Sequence, residues 1–181
     1  MFTLRAMEAA ELSDAQWLAL ADFLHTVWPN PDLSAEGRAE HRKLAAMGRP
    51  ASEVITIMSD GAVVAAGQVF AREITVGIQP HTVLAMAAVA VAETMRGQGL
   101  GRQIVREAFT RVDSGACEFA IFQTGVPGFY EPMNCRAIEN IVIDSLADDP
   151  ATNPFHDTHI MVYPADVALN LGAIDMLGPG Y

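Results

Sequence analysis

Cysteine is scarce in this sequence of 181 residues: there are two, Cys117 and Cys135. Two cannot build a disulfide framework, and neither their spacing nor partner histidines suggest a zinc site. Positive charge is scarce as well. Eleven Lys and Arg stand against 22 Asp and Glu, giving a net charge of −11 and an isoelectric point near 4.7. Such a chain is a poor general binder of nucleic acid or of anionic membrane, since both reward dense positive charge. Long apolar runs are missing too: the most apolar one, Thr82 to Ala92, is too short to span a bilayer. The opening MFTLRAMEAAELSD lacks the charged start and apolar stretch of a signal peptide. The expectation is therefore a cytoplasmic protein in a reducing compartment, with no internal repeat and no low-complexity linker. What the chain does have is apolar substance. Hydrophobic residues make up 51%, charged residues 18%, and the mean hydropathy is +0.22. That composition can bury enough surface to offset chain entropy, and the length predicts one domain over residues 1–181.

Periodicity orders the elements. Phe2 to Ala6 reads as a strand. Ser13 is placed to cap a helix running to about His25, with Trp17, Leu18, Leu20, Ala21 and Leu24 as its apolar stripe and Trp28-Pro29-Asn30-Pro31 as its stop. Ser34 caps a second helix that Gly48 and Pro50 end. Val54 to Ser59 and Ala62 to Glu73 read as a hairpin about Asp60-Gly61. Thr82 to Ala92 is apolar almost throughout, as a strand covered on both faces should be. A helix from about Gly101 to Val112, a strand from Glu118 to Gln123 and a short helix from Pro127 to Met133 follow. Arg136 to Ile143 and His159 to Tyr163 close the sheet. The order β-α-α-β-β-β-α-β-α-β-β predicts one mixed α/β sheet, with Thr82 to Gln123 as a right-handed parallel crossover.

The most informative stretch is Val89-Ala90-Val91-Ala92-Glu93-Thr94-Met95-Arg96-Gly97-Gln98-Gly99-Leu100-Gly101-Arg102. A central strand runs into a loop of alternating glycines, and the loop opens a helix. Backbone N–H groups at a helix start lack intrahelical acceptors and sit at the positive end of its dipole, while glycine lets the backbone approach an anion. Such a turn cradles a phosphate or pyrophosphate. Four of the eleven basic residues lie between Arg96 and Arg111, in a chain that is otherwise acidic. A P-loop would need GxxxxGK[ST], which is absent. A dinucleotide fold would need GxGxxG and an acidic end to the next strand, where Gln123-Thr124 stand instead.

Arg96-Gly97-Gln98-Gly99-Leu100-Gly101 resembles the R/Q-x-x-G-x-G/A signature of the GNAT superfamily of N-acetyltransferases. Phe129-Tyr130-Glu131-Pro132-Met133-Asn134-Cys135 resembles the second signature, F-Y-x-x-x-G-F, with Asn134 for glycine and Cys135 for an aromatic. The likeness covers roughly Val54 to Tyr163 in element order. It implies a single-domain acyl-CoA N-acyltransferase fold, a mixed central sheet with helices on both faces. It implies acetyl-CoA as cosubstrate, held by Val89, Ala90, Val91, Arg96, Gly97, Gln98, Gly99, Leu100, Gly101 and Arg102. It makes Tyr130 the general acid for the departing thiolate, and a small-molecule amine the acceptor. A homodimer is compatible with it; a metal, nucleic acid or membrane partner is not called for. Many relatives carry a strand glutamate where Ala87 stands, so the base is open among Glu73, His81, Glu93, His156, Asp157, His159 and a water relay. A non-catalytic acyl-CoA-binding module and transfer of a longer acyl chain are the alternatives.

After Arg136 there is no Lys or Arg. Seven carboxylate side chains, Glu139, Asp144, Asp148, Asp149, Asp157, Asp166 and Asp175, follow. The stretch from Met161 to Leu169 with Asp175 and Gly180-Tyr181 resembles the end of aminoglycoside 2'-N-acetyltransferases. That points to a cationic acceptor, with His156, Asp157 and Tyr181 as substrate-binding candidates. Cys117 and Cys135, among apolar neighbours, read as inert buried thiols.

Overall fold

In a computed structural model, residues 1–29, 31–170 and 172–181 are described. They form two compact units: Met1–Phe70 with Ala88–Ala108, and Ala71–Ala87 with Phe109–Tyr181.

The first unit begins with strand β1 (Phe2–Glu8) and helix α1 (Asp14–Val27). Ser13 starts α1 through a capping box: its Oγ accepts from the Gln16 N–H, and Gln16 Oε1 accepts from the Ser13 N–H at 2.8 Å. The helix runs two residues past His25, and its buried face takes Phe23 beside Trp17, Leu20, Ala21 and Leu24, while Leu18 is only partly covered. Of the expected stop, Asn30 lies outside the described residues. Helix α2 (Ala35–Met47) is capped by Ser34 and buries only Ala39 and Ala46. Ion pairs tie it to α1, Arg38 to Asp22 at 3.1 Å and Lys43 to Asp14 at 2.7 Å.

Strand β2 (Glu53–Ser59) pairs antiparallel with β1 and with β3 (Ala62–Val76). Between β2 and β3, Asp60 and Gly61 both have positive φ, 50° and 82°, as a two-residue hairpin turn that follows strand twist requires. Strand β4 (Gln79–Val91) follows, and the Ala92 N–H just beyond it bonds the Val64 carbonyl of β3 at 2.9 Å. On β3, Ala66 packs in the cluster of α1, whereas the next residue, Gly67, faces Ile104 of helix α3 (Leu100–Asp113). Successive strand residues point to opposite faces, so the α1/α2 pair and α3 cover opposite sides of the strands.

In the second unit, β4 pairs in parallel with β5 (Ala120–Thr124), as the crossover reading required. Strand β5 pairs antiparallel with a later strand (His159–Tyr163). The short helix α4 (Pro127–Tyr130) and a 3-10 turn (Glu131–Met133) follow β5. The expected strand Arg136 to Ile143 is in fact two short ones, β6 (Arg136–Ala137) and β7 (Val142–Ile143). Asn140, between them, donates through Nδ2 to the Asn170 and Gly172 carbonyls and draws the chain out of the ladder. Strand β8 (His159–Tyr163) pairs with β6, and β9 (Ile174–Asp175) pairs with β7 and with Thr75-Val76 of β3. No sequence pattern announced β9. The core here gathers Ile74, Val83, Phe119, Ile121, Val162 and Ile174, each nearly or fully buried. The whole is a mixed α/β fold with parallel and antiparallel pairs.

Candidate functional site

In the first unit, the end of β4 leads through a 3-10 turn (Glu93–Met95) into the glycine turn and α3. Gly97 and Gly99 have φ of 78° and 76°, and a Cβ on either would meet nothing within 4 Å. Conformation, and not crowding, is what calls for glycine at both. The Gln103 N–H bonds the Gly99 carbonyl at 3.1 Å, so the N–H groups of Leu100, Gly101 and Arg102 form the open first turn of α3. Leu100 is buried and anchors the helix start, while Arg96, Arg102 and Arg106 are exposed around it. Upstream, Val89, Ala90 and Val91 end β4. Ala88, just before them, has φ of 53°, a left-handed residue inside a strand that breaks its regular pleat.

In the second unit, α4 presents Tyr130, which is buried against Phe122 at 4.7 Å and edge-on to Phe129 at 4.8 Å. Burial pushes its phenol well above the usual tyrosine range. The nearby Cys135 and Asp157 push the same way, and a hydrogen bond with the Thr124 side chain offsets them in part. Tyr130 therefore stays protonated far above neutral pH. The turn after it is kept by Asn134, whose φ of 64° and ψ of 33° put it in the left-handed region that the motif's glycine would occupy.

Gln123, at the end of β5, organises the neighbourhood. Its Oε1 accepts the backbone N–H groups of His156 at 2.9 Å and Asp157 at 2.8 Å, and its Nε2 donates to the backbone oxygen of Tyr181. The Tyr181 hydroxyl donates to the Ile121 carbonyl at 2.6 Å, and its ring meets Phe155 edge-on. Arg72 holds the same segment, donating to the Met176 carbonyl at 2.8 Å and the Pro179 carbonyl at 2.7 Å. His156, Asp157 and Tyr181 are thus brought together within this unit, and Asp157 lies near enough to act on Tyr130. Sequence reasoning missed Gln123 and Arg72. The available signal for Gln123 was a polar residue directly after the apolar run Ala120-Ile121-Phe122.

Two of the other candidate bases, Glu73 and His81, have structural partners. Glu73 accepts from the Thr82 hydroxyl, and His81 pairs with Glu118 at 2.7 Å. Glu93 lies exposed in the 3-10 turn before the glycines, and His159 is paired opposite Thr124. Of the acid-rich segment, Asp144 accepts from the Leu146 N–H, Asp149 from Ala151 and Thr152, and Asp175 from the N–H groups of Ser145 and Leu177. Both cysteines are free and buried; burial raises the Cys135 thiol to about 12 and also lifts that of Cys117. Among the described residues no group of three or more His, Cys, Asp or Glu is arranged to hold a metal ion. Nor is any described helix long and apolar enough to cross a membrane.

A mixed sheet whose parallel crossover is joined by a left-handed glycine turn at a helix start is the architecture of the acyl-CoA N-acyltransferases. Residues 8–138 match the family model described as an acetyltransferase (GNAT) domain, and the chain belongs to that family. Solved structures share the fold at low identity. An acetyltransferase of Trypanosoma brucei is 19% identical over 77% of this chain and 96% of its own, with a TM-score of 0.62. An acyl-CoA N-acyltransferase from Pseudomonas aeruginosa is 14% identical over 90% of this chain and 98% of its own, with a TM-score of 0.61. Glucosamine-6-phosphate N-acetyltransferase from Arabidopsis thaliana is 18% identical over 73% and 89%, with a TM-score of 0.57. No curated protein matches the chain.

Proposed function

We propose that this chain transfers the acetyl group of acetyl-CoA to the primary amine of a small molecule, with the cofactor's pyrophosphate on the Gly97–Gly101 turn and Tyr130 as general acid. The observation that carries the reading is the second signature itself: Tyr130 stands buried within it, and Asn134 keeps its left-handed residue. Coenzyme A supplies the acyl group as a thioester. The open N–H groups of Leu100, Gly101 and Arg102 donate to the pyrophosphate oxygens, and Arg96 and Arg102 add charge. The Val89–Val91 backbone offers strand-type hydrogen bonds to the pantetheine arm. The amine nitrogen bonds to the acetyl carbonyl carbon, the carbon–sulfur bond breaks, and the Tyr130 hydroxyl gives its proton to the departing sulfur. In this reading Asp157, whose charge acts on Tyr130, takes the amine's proton, directly or through water.

An aminoglycoside-like polycation draws little support from the acid-rich segment, because Asp144, Asp149 and Asp175 already serve as acceptors within their own loops. The test is thiol release from acetyl-CoA and from longer acyl-CoA esters over an amine panel, beside CoA binding without amine. Thiol release that needs an amine supports transfer. Binding without release over the whole panel overturns it in favour of a non-catalytic acyl-CoA module.

A further inference from the structure

On the α1/α2 side of the first unit, a small recess open to solvent is lined by Trp17 and Leu24 of α1, Arg42 of α2, Gln68 of β3 and Ala88 of β4. Its innermost part has room for a group of about a water's size. Two side chains here have hydrogen to give and nothing to give it to. Trp17 is 2% exposed, and its Nε1 is buried without a hydrogen-bond partner. Arg42 is half-buried, takes part in no ion pair or hydrogen bond among the described residues, and has its guanidinium pKa lowered by burial alone. Its neighbours on α2 are different. Arg38, one turn earlier, is matched through its two terminal nitrogens to the Leu33 carbonyl and Asp22, with only its Nε left without a partner, and Lys43 is matched to Asp14. Gln68 donates from Nε2 to the Ser52 hydroxyl at 3.1 Å.

Burying part of a charge without a counter-ion, beside a buried N–H without an acceptor, costs stability that a bound acceptor would restore. The complement of a guanidinium and an indole N–H is a group that only accepts hydrogen bonds and carries negative charge. A carboxylate fits, and Arg binds it in a fork geometry that Lys cannot reproduce. The recess also touches β4 at Ala88, one residue before Val89-Ala90-Val91.

We propose that this recess seats a carboxylate of the acceptor, so that the substrates are amines that also carry a carboxylate, amino acids among them. The substrate assignment rests on reading Val89–Val91 as the strand that holds the acyl thioester; the binding of a carboxylate by Trp17 and Arg42 does not.

Two measurements separate these claims. In the first, acetyl transfer is measured for amino acids against the matching amino acid amides, with the native chain, Arg42→Gln and Arg42→Lys. The native chain should prefer the acids. Arg42→Gln should raise KM for the acids roughly tenfold to a hundredfold, the loss expected for a charge-assisted hydrogen bond, while leaving the amides and acetyl-CoA unchanged. Arg42→Lys should keep part of the preference. In the second, the Trp17 indole N–H resonance, assigned with Trp28→Phe, is followed by NMR as N-acetylglycine or N-acetylglycinamide is added. It should move with the acid, not with the amide, and not in Arg42→Gln. Equal response to acid and amide, or none to either, overturns the carboxylate site whatever the activity shows. An indole response without transfer to any amine leaves the site standing and overturns the proposed function. Transfer that ignores the carboxylate overturns the substrate class alone.

Discussion

Gly67 of β3 lies so close to Ile104 of α3 that a Cβ on it would stand 2.6 Å from the Ile104 Cγ2 methyl. Ile104 is fully buried and β-branched, so that methyl has nowhere to turn. Gly67→Ala should therefore push α3 off the strand and cost about 1–3 kcal/mol, as overpacking does. For a chain of this size that is a fall of roughly 2–12 °C in Tm. Scanning calorimetry checks it; an unchanged Tm would mean that α3 is not seated on β3 in this way.

Gly99→Asp should abolish acetyl-CoA binding. It places a non-glycine residue at φ 76° and adds a negative charge where the pyrophosphate belongs. Gly99→Ala isolates the backbone part, and its loss should be smaller, near the ~1–2 kcal/mol of a left-handed residue. Calorimetric titration with CoA separates the two effects, provided that both variants show native circular dichroism. A folded Gly99→Asp chain with native affinity would remove the turn from the binding site.

Tyr130→Phe keeps the ring packed against Phe122 and Phe129 and removes only the hydroxyl. Turnover should fall roughly 10²- to 10⁴-fold, the usual weight of a general acid, with kcat and kcat/KM falling together and little change in CoA affinity. Because burial holds the phenol protonated, the native pH–rate profile should show no descending limb from tyrosine ionisation below about pH 10. Near-native turnover in the variant would reduce Tyr130 to a packing residue.

Stability should fall off on the acid side. His81 and the Thr82 N–H hold the Glu118 carboxyl below its ordinary value of 4.5. Burial alone would raise Asp175, yet bonds from Ser145 and Leu177 and the charge of Arg72 carry it below 3.8. A carboxylate with a depressed folded pKa contributes stability that is fully present above its unfolded pKa and is lost as pH falls through the folded one. Tm should therefore be level above roughly pH 5 and decline below about pH 4. Glu118→Gln and Asp175→Asn should each flatten that decline, as thermal melts across pH would show; an unchanged slope in both variants would exclude these two carboxylates as its source.

The parts of this fold that could be read from sequence are those whose causes are local. Ser13 and Ser34 cap helices, Asp60-Gly61 turns a hairpin, and the glycines from Gly97 mark left-handed backbone, because in each case a few adjacent residues decide the conformation. Asn140 and β9 escaped because their causes are distant. Asn140 takes the chain out of the ladder by bonding carbonyls some thirty residues away, and Ile174-Asp175 is too short to show a strand's period. The same holds within the candidate site. Tyr130 sits in a contiguous motif, whereas Gln123 organises residues 33, 34 and 58 positions away, and Arg42 is distinguished only by having no partner.

Asn134 holds the turn after Tyr130 in the conformation that the family's signature writes as glycine. What is inherited at that position is a dihedral angle rather than a letter. A pattern that insists on glycine would pass this chain by, while one that asks which residues tolerate positive φ would retrieve it. Distant members of the family are therefore better sought by the backbone states their motifs encode than by the residues that usually encode them.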